Sequence, residues 1–346
     1  GDVYKRQYHG WNFDLDGTLV GMPGEEAFYR GGIDRQAWGL GRAAQVESYR
    51  GFVFATLDPG APRLADYLGW VGRLGLDMHA ARGDLEVVDG IQKNRIKCNW
   101  KLAVDNLYDW YHVKVSHGAS MRAGLLDEAS MAPHSQMVIL GEYGHGIGGP
   151  GISEAELANY VQRVEEGGGA AEQWFDLQAA RRHPQMRAEL GPVGARSLGH
   201  PNIFPNLWVA LTYQLCLRIP KGPLETELWW FTLLPKNMSG KERRMAIYMA
   251  NHVFGPAGLL EQDDGENWSH STRGARGAYM RTQPLNYSMG MGLDAVETDA
   301  SGQYSINTVV NEHGQRWTYQ AWQEWMLSSS WEDLKANHSP PPQGRV

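Results

Sequence analysis

Two long apolar runs, Asn202 to Ile219 and Glu225 to Leu234, flank Pro220-Lys221-Gly222-Pro223-Leu224. Both runs are rich in β-branched and aromatic residues, and the link between them is short and made of turn formers, so they are expected to pair as an antiparallel hairpin. The other segments read mostly as helices. Leu64 to Leu74 and Lys101 to Val115 carry helical patterns, as does Ala155 to Arg187 around the interruption Gly167-Gly168-Gly169. Ser239-Gly240-Lys241-Glu242 is a capping box that opens a helix to about Phe254, and a second helix is expected from Ala257 to about Arg276 after the break at Gly255-Pro256. Trp317 to Met326 and Ser330 to Ala336 close the chain as two more helices, and Leu85 to Lys97 reads as a strand. With strands and helices segregated and no βαβ alternation, the fold class is α+β.

The first sixty residues differ. Asp16-Gly17 between two short apolar runs signals a hairpin, and Tyr49 to Leu57 reads as a strand. Asp58-Pro59-Gly60-Ala61-Pro62 breaks the chain, which gives a small β unit over 1–59 and a larger mixed unit over 60–346. The net charge of −7 and the lack of a long basic run argue against nucleic acid as a main partner. No apolar run reaches the length of a membrane-spanning helix. Two cysteines, Cys98 and Cys216, allow neither a disulfide framework nor a four-thiolate metal site, and a reducing cytoplasm is the expected compartment. Tryptophan (14) outnumbers phenylalanine (8), which fits aromatic cores and interfaces or, more sharply, a pocket for a flat apolar ligand.

The densest chemistry lies in Asp109-Trp110-Tyr111-His112-Val113-Lys114-Val115-Ser116-His117. On a helix, Asp109 and His112 would share a face, and the carboxylate could hold one ring nitrogen while the other binds a metal. His112 and His117 are five apart, which on an unbroken helix leaves roughly 140° between them. They can share one ion only if the helix ends between them, and Val113, Val115 and Ser116 are weak helix formers. A His-x4-His pair alone is more often incidental than a ligand pair. Glu261-Gln262-Asp263-Asp264-Gly265-Glu266-Asn267 is an acid run, by default a solvated face, from which one carboxylate could complete a set of two histidines and one carboxylate. Tyr8-His9-Gly10-Trp11 is a third candidate, although a lone histidine beside a glycine is usually structural.

Together and in this order, these pieces resemble the large (α) subunit of the Rieske non-haem iron aromatic-ring-hydroxylating dioxygenases, in the biphenyl and naphthalene branch. The resemblance runs from Tyr8 onward. It rests on Asn99-Trp100-Lys101, Asp105-Asn106, Asp109 to His117, Phe254-Gly255-Pro256-Ala257-Gly258 and Glu261 to Asp264. It implies that His112, His117 and Asp264 bind a mononuclear Fe(II). It implies that Asp109 links His112 to a Rieske-ligand histidine of a neighbouring subunit. It places Asn106, Leu107, His200, Asn202, Phe254 and Leu260 along the substrate pocket. The family's catalytic domain is a helix-grip-like antiparallel sheet with helices, preceded by an all-β Rieske domain. That domain's [2Fe–2S] cluster has two cysteine and two histidine ligands. His9 matches one ligand, but Arg6 stands where a cysteine belongs, and Gly1 to Gln7 match nothing in the family. The expectation is therefore a truncated chain with non-native residues 1–7, the C-terminal part of a Rieske domain over 1–59 and an incomplete cluster, unable to turn over with a reductase.

The resemblance further implies cis-dihydroxylation of an aromatic hydrocarbon by O2, with electrons from NAD(P)H through a reductase or ferredoxin, and a small β subunit in an α3β3 assembly. No basic residue stands at the matched pocket positions, so neutral arenes are expected. A Rieske monooxygenase or demethylase working as an α3 trimer is the alternative within the superfamily, and a non-catalytic helix-grip ligand-binding domain is the alternative outside it. A zinc hydrolase lacks support, since no His-x-x-x-His pair or cysteine ligand set is present.

Overall fold

The structure is a computed structural model, described over residues 4–6, 8–30, 32–125, 136–165, 183–210, 212–293, 296–300, 302–308 and 310–341. The chain divides into two compact units, Gly1–Leu64 and Ala65–Val346. In the first, β1 (Tyr4–Arg6), β2 (Trp11–Phe13) and β3 (Leu19–Gly21) form a three-stranded antiparallel sheet. The expected Asp16-Gly17 turn joins β2 to β3, with Gly17 at φ 86° and the Asp14 and Asp16 carboxylates each accepting from the Thr18 N–H at 2.8 Å. Helix α1 (Glu25–Tyr29) follows, then the hairpin β4 (Gln45–Tyr49) and β5 (Phe52–Thr56). The sequence pattern finds only the second of these strands. Gln45–Tyr49 is too polar to read as one, and the reversal falls at Arg50-Gly51, both at positive φ.

The second unit opens with α2 (Leu64–Ala80), which runs past the expected Leu74 and kinks at Gly69. Then come β6 (Leu85–Val87), β7 (Gln92–Ile96), α3 (Trp100–Asp105), α4 (Val113–Ser116), α5 (Gly118–Arg122), β8 (Gln136–Leu140) and β9 (Gly146–Pro150). Next are α6 (Glu154–Glu165), α7 (Pro184–Arg196), β10 (His200–Ile203), β11 (Leu207–Ala210), β12 (Gln214–Pro220) and β13 (Thr226–Pro235). The remainder is α8 (Gly240–Val253), α9 (Leu259–Ala275), β14 (Val296–Thr298), β15 (Tyr304–Thr308), α10 (His313–Leu327) and α11 (Trp331–Asn337). Among the described residues, the ten strands β6 to β15 form one open antiparallel sheet in the order β14-β15-β8-β9-β10-β11-β12-β13, with β6 and β7 both paired to β13. The α+β class is as expected.

The differences from expectation have local causes. The hairpin β12–β13 forms, but the run Asn202 to Ile219 is three strands. Pro205 lacks the N–H a ladder needs, and Asn206 ties the first reversal to Arg218 through both its backbone carbonyl and its side chain. Tyr213, at φ 63°, makes the second reversal. Leu85 to Lys97 breaks into β6 and β7 at Gly90, φ 97°. Strand β9 is not legible in the sequence, where Gly146-Ile147-Gly148-Gly149 reads as a loop. Those glycines are a packing requirement: a Cβ at Gly146, Gly148 or Gly314 would overlap the ring of Tyr108. The capping box is formed, with Ser239 and Glu242 each bonding the other's backbone. The glycine interruption at 167–169 lies outside the described residues.

The main core fills the space between the inner sheet face and α3, α8 and α9. Trp208, Cys216 and Trp230 from three neighbouring strands meet Ala103, Val104, Met249, Val253, Leu260 and Trp268. Burying such large apolar groups contributes about 1.5–3 kcal/mol each. Trp208, Trp230 and Phe254 form an aromatic triangle with centroids 4.7–5.2 Å apart. Both cysteines are free and buried in this core, and burial pushes the Cys98 thiol up to about 11, so they pack rather than react.

Candidate metal centre

Lys101 to Val115 is not one helix. Helix α3 ends at Asp105, and the next helical residues begin at Val113. The stretch between is pinned from outside. Tyr108 sits in its glycine slot, the Gln136 amide donates to the Tyr108 carbonyl at 2.7 Å, and the Trp110 indole N–H lies 3.0 Å from both the Leu107 and Gly148 carbonyls. These partners satisfy carbonyls that a continuing helix would have bonded itself. Asp109 and His112 therefore meet across a turn rather than along a helix face.

Four residues of α4 then separate the two histidines. His112 stands at its N-cap and His117, at φ −95° and ψ 26°, stands just past its end. The helix does end between them, and their rings come to 5.2 Å centroid to centroid. Asp264 enters from the middle of α9, a long helix on a different part of the chain. The Nε2 atoms of His112 and His117 each lie 3.4 Å from Asp264 Oδ1. One ligand atom from each of the three lies within 4.8 Å of the others. Donors each about 2.1 Å from a shared ion would stand about 3.0–3.4 Å apart, and the two distances of 3.4 Å from Asp264 Oδ1 to the imidazole nitrogens match this.

Each histidine is held by its other nitrogen. His112 Nδ1 lies against the Asp109 carbonyl and 3.4 Å from its carboxylate, and the same carboxylate accepts from the His112 backbone N–H at 3.1 Å. A proton on Nδ1 leaves the Nε2 lone pair facing Asp264. His117 Nδ1 lies 3.4 Å from Asp263 Oδ2. Burial disfavours the charged form of His112, but the Asp109 and Asp264 carboxylates outweigh it and raise its pKa to about 10. Asp264 is buried, and its Oδ1 has no hydrogen-bond partner. A buried carboxylate oxygen that completes no hydrogen bond and stands 3.4 Å from two imidazole nitrogens is a set that a cation completes.

The acid run splits by helical face. Glu261, Asp264 and Trp268 point inward, Gln262 and Glu266 outward, and Asp263 sits at the edge against His117. Burial, then the charge of Asp264, pushes Glu261 up to about 8.

Of the six pocket candidates, Leu107, Phe254 and Leu260 join the main core and His200 and Asn202 lie on β10, while Asn106 ends α3. The His200 ring stands 5.1–5.2 Å from Trp110 and Trp208 and 6.3 Å from Phe254, and its Nδ1 accepts from the Trp208 indole at 2.8 Å. Burial and the nearby charge of Arg218 lower its pKa to about 3, so it is neutral. His9 is exposed in the first unit, beside Tyr8, and belongs to no group of three or more metal-ligating side chains among the described residues.

Several groups whose roles the sequence does not assign also shape the site. Glu312 accepts from the Tyr111 hydroxyl at 3.1 Å and from the Met289 N–H at 2.8 Å, steadying the residue next to His112. Asp105 accepts from the Tyr287 and Tyr319 hydroxyls at 2.7 and 3.2 Å, and its burial raises its pKa to about 6. Asp263 and Glu261 were within reach, because the spacing from Leu260 to Trp268 fixes which acids face inward. Nothing in the sequence pointed to Glu312.

A family profile described as "Ring hydroxylating alpha subunit (catalytic domain)" matches residues 76–328. The chain belongs to this family. It is the large subunit of an aromatic-ring-hydroxylating dioxygenase, an oxidoreductase. The biphenyl 2,3-dioxygenase subunit alpha of Rhodococcus jostii is 33% identical to this large subunit, over 95% of the chain and 72% of the relative. A solved structure of naphthalene 1,2-dioxygenase with indole bound in its active site matches at TM-score 0.79 and 27% identity, covering 97% of this chain and 76% of that one. A quaternary ammonium Rieske monooxygenase shares the fold at TM-score 0.56 and 15% identity, covering 92% of this chain and 70% of its own, and shows the fold alone. The family works with a mononuclear iron and a Rieske [2Fe–2S] cluster, and the group of His112, His117 and Asp264 could bind a metal ion. Its relatives are α subunits of multi-component systems. Among the described residues, no helix is long and apolar enough to cross a membrane.

Proposed function

We propose that the chain dihydroxylates an aromatic ring at a mononuclear Fe(II) held by Nε2 of His112, Nε2 of His117 and the Asp264 carboxylate. The observation that carries this reading is the convergence of those three atoms, with Asp264 Oδ1 buried and without a hydrogen bond. When bound there, the iron supplies open positions at which O2 is reduced. The overall balance is arene, O2, two electrons and two protons in, one cis-dihydrodiol out.

The chain's own residues set the conditions. Asp109 holds the His112 tautomer and orientation through Nδ1, and Asp263 does the same for His117. The Asp109 side chain is 24% exposed, which leaves it accessible to a neighbouring subunit, and it is read here as the electron path to a Rieske-ligand histidine of that neighbour. The aromatic wall of His200, Trp208 and Phe254, with Leu107, Leu260 and Asn106, orients a flat ring and excludes water. The first unit is read as the C-terminal part of a Rieske domain, with His9 a cluster ligand. A small β subunit, a ferredoxin or reductase, and NAD(P)H as the electron source complete the proposed system.

Labelled dioxygen tests the reading. The oxygenase, supplied with its electron-transfer partners and an arene under 18O2, is expected to place two labelled atoms in each product molecule. A single label would make it a monooxygenase, and no oxygenated product would remove the reading.

A further inference from the structure

Strand β12 turns Gln214, Cys216 and Arg218 toward the interior, and the third of these is unusual. Arg218 is 1% exposed, as deeply placed as the aliphatic core. A guanidinium keeps its charge at any physiological pH, so burial normally comes with a carboxylate partner. Among the described residues, Arg218 has no such ion pair. Its Nη1 donates to Asn202 Oδ1 at 3.3 Å, its Nη2 has no partner, and its guanidinium carbon stands 5.0 Å from the centre of the Trp208 ring. Asn202 is fully buried as well, and its Nδ2 completes no hydrogen bond, with the Tyr108 hydroxyl as a polar neighbour of the side chain. Two adjacent buried side chains therefore each hold an unused N–H donor.

Their position gives these donors a use. Trp208, on which the guanidinium rests, bonds His200 and packs 4.7 Å from Phe254, so Arg218 and Asn202 lie behind the aromatic wall described above. The charge of Arg218 is felt at His200 on one side and at Glu261, one turn from Asp264, on the other. No matched pocket position carries a lysine or arginine in the sequence, yet the fold sets a cation against Asn202, one of those positions, from a strand that the motifs do not include. We propose that Arg218 and Asn202 form an anion subsite that takes the carboxylate of an aromatic acid, which makes a carboxylated arene this chain's substrate rather than a neutral hydrocarbon. A planar guanidinium matches a carboxylate, and the Asn202 amide adds a second donor beside it. A site built this way discriminates strongly, because an analogue lacking the acceptor leaves both donors unpaired.

This inference rests on the proposed arene chemistry, and its test separates the two. Equilibrium binding of 2-naphthoate and of the near-isosteric neutral ketone 2-acetonaphthone is measured by calorimetry on the iron-loaded oxygenase. The acid is expected to bind at least about 30-fold more tightly, because its two charged oxygens can meet both donors, whereas the single neutral carbonyl oxygen of the ketone leaves one donor unpaired. Arg218→Gln, checked for iron content and thermal midpoint, should bring the two ligands to within about threefold of each other. Arg218→Lys, which keeps the charge and loses the fork, should keep a reduced preference and serves if the glutamine variant does not fold. Equal or tighter binding of the ketone by the unmodified protein overturns the proposal, as does a folded Arg218→Gln that still prefers the acid. Such a preference would mark Arg218 as structural, bridged by water to Glu261. Tight binding of the acid without any dihydroxylated product would leave the subsite standing and instead count against the dioxygenase reading.

Discussion

The two halves of the metal centre are built on opposite principles. The histidines come from a broken, irregular stretch whose one short helix is only four residues long, and whose shape is set by outside partners: Gln136, Gly148, Glu312 and the glycine slot around Tyr108. The carboxylate comes from the middle of a long helix, α9, whose own periodicity places it. The irregular half sets the distance between two ligands that a straight helix would keep apart. The regular half sets which of four acids can join them.

The sharpest break in that comparison would come from the acids. Asp264→Ala, like His112→Ala and His117→Ala, is expected to abolish iron binding, while Asp263→Asn lowers affinity only about tenfold because it supports His117 from behind. Metal analysis of the four variants decides, and iron retained by Asp264→Ala but lost from Asp263→Asn would invert the assignment. Next in size, Asp109→Ala should keep iron and lower reductase-driven turnover by at least about 100-fold; normal turnover would remove its bridging role.

The outside support of the irregular half can be tested through Gly148→Val, which drives a side chain into Tyr108. Overpacking of this kind should cost about 1–3 kcal/mol and lower both the melting temperature and iron affinity. A drop in melting temperature alone would separate the glycine slot from the ligand geometry.

Acidity offers a finer test. The metal-free His112 keeps its proton up to about pH 10, and a metal must displace that proton from the imidazole. Apparent affinity for Zn(II) as a probe should therefore rise with pH, by up to about tenfold per unit between pH 6 and 9. A flat profile would mean that His112 is already neutral. The smallest effect belongs to a distant cap: Ser239→Ala should cost about 1 kcal/mol of stability and leave iron content unchanged.

What the sequence discloses follows the same division. Elements stabilised by their own residues are legible: the capping box at Ser239, the hairpin β12–β13, the Asp16-Gly17 turn and helix α9. Elements shaped by distant partners are not. Strand β9 is glycine-rich because Tyr108 lies on it, and the split of Asn202 to Ile219 depends on reversals at Pro205 and Tyr213 inside an otherwise apolar run. The end of α3 at Asp105 comes from carbonyls claimed by Gln136 and Trp110, which lie 28 and 3 residues along the chain from the carbonyls they bond. Within the site, the spacing of His112 and His117 states a condition, that a helix end between them, which the sequence alone does not decide. Arg218 is invisible among strand residues until the sheet turns it inward.

The central claim is that one iron sits between three named atoms. A crystal structure of the iron-loaded protein, with anomalous scattering measured on both sides of the iron edge, addresses it directly. The account predicts a single mononuclear peak within bonding distance of His112 Nε2, His117 Nε2 and the Asp264 carboxylate, with Asp109 and Asp263 touching only the far nitrogens. A peak bonded to Asp263, or one that leaves either histidine unbound, would contradict it.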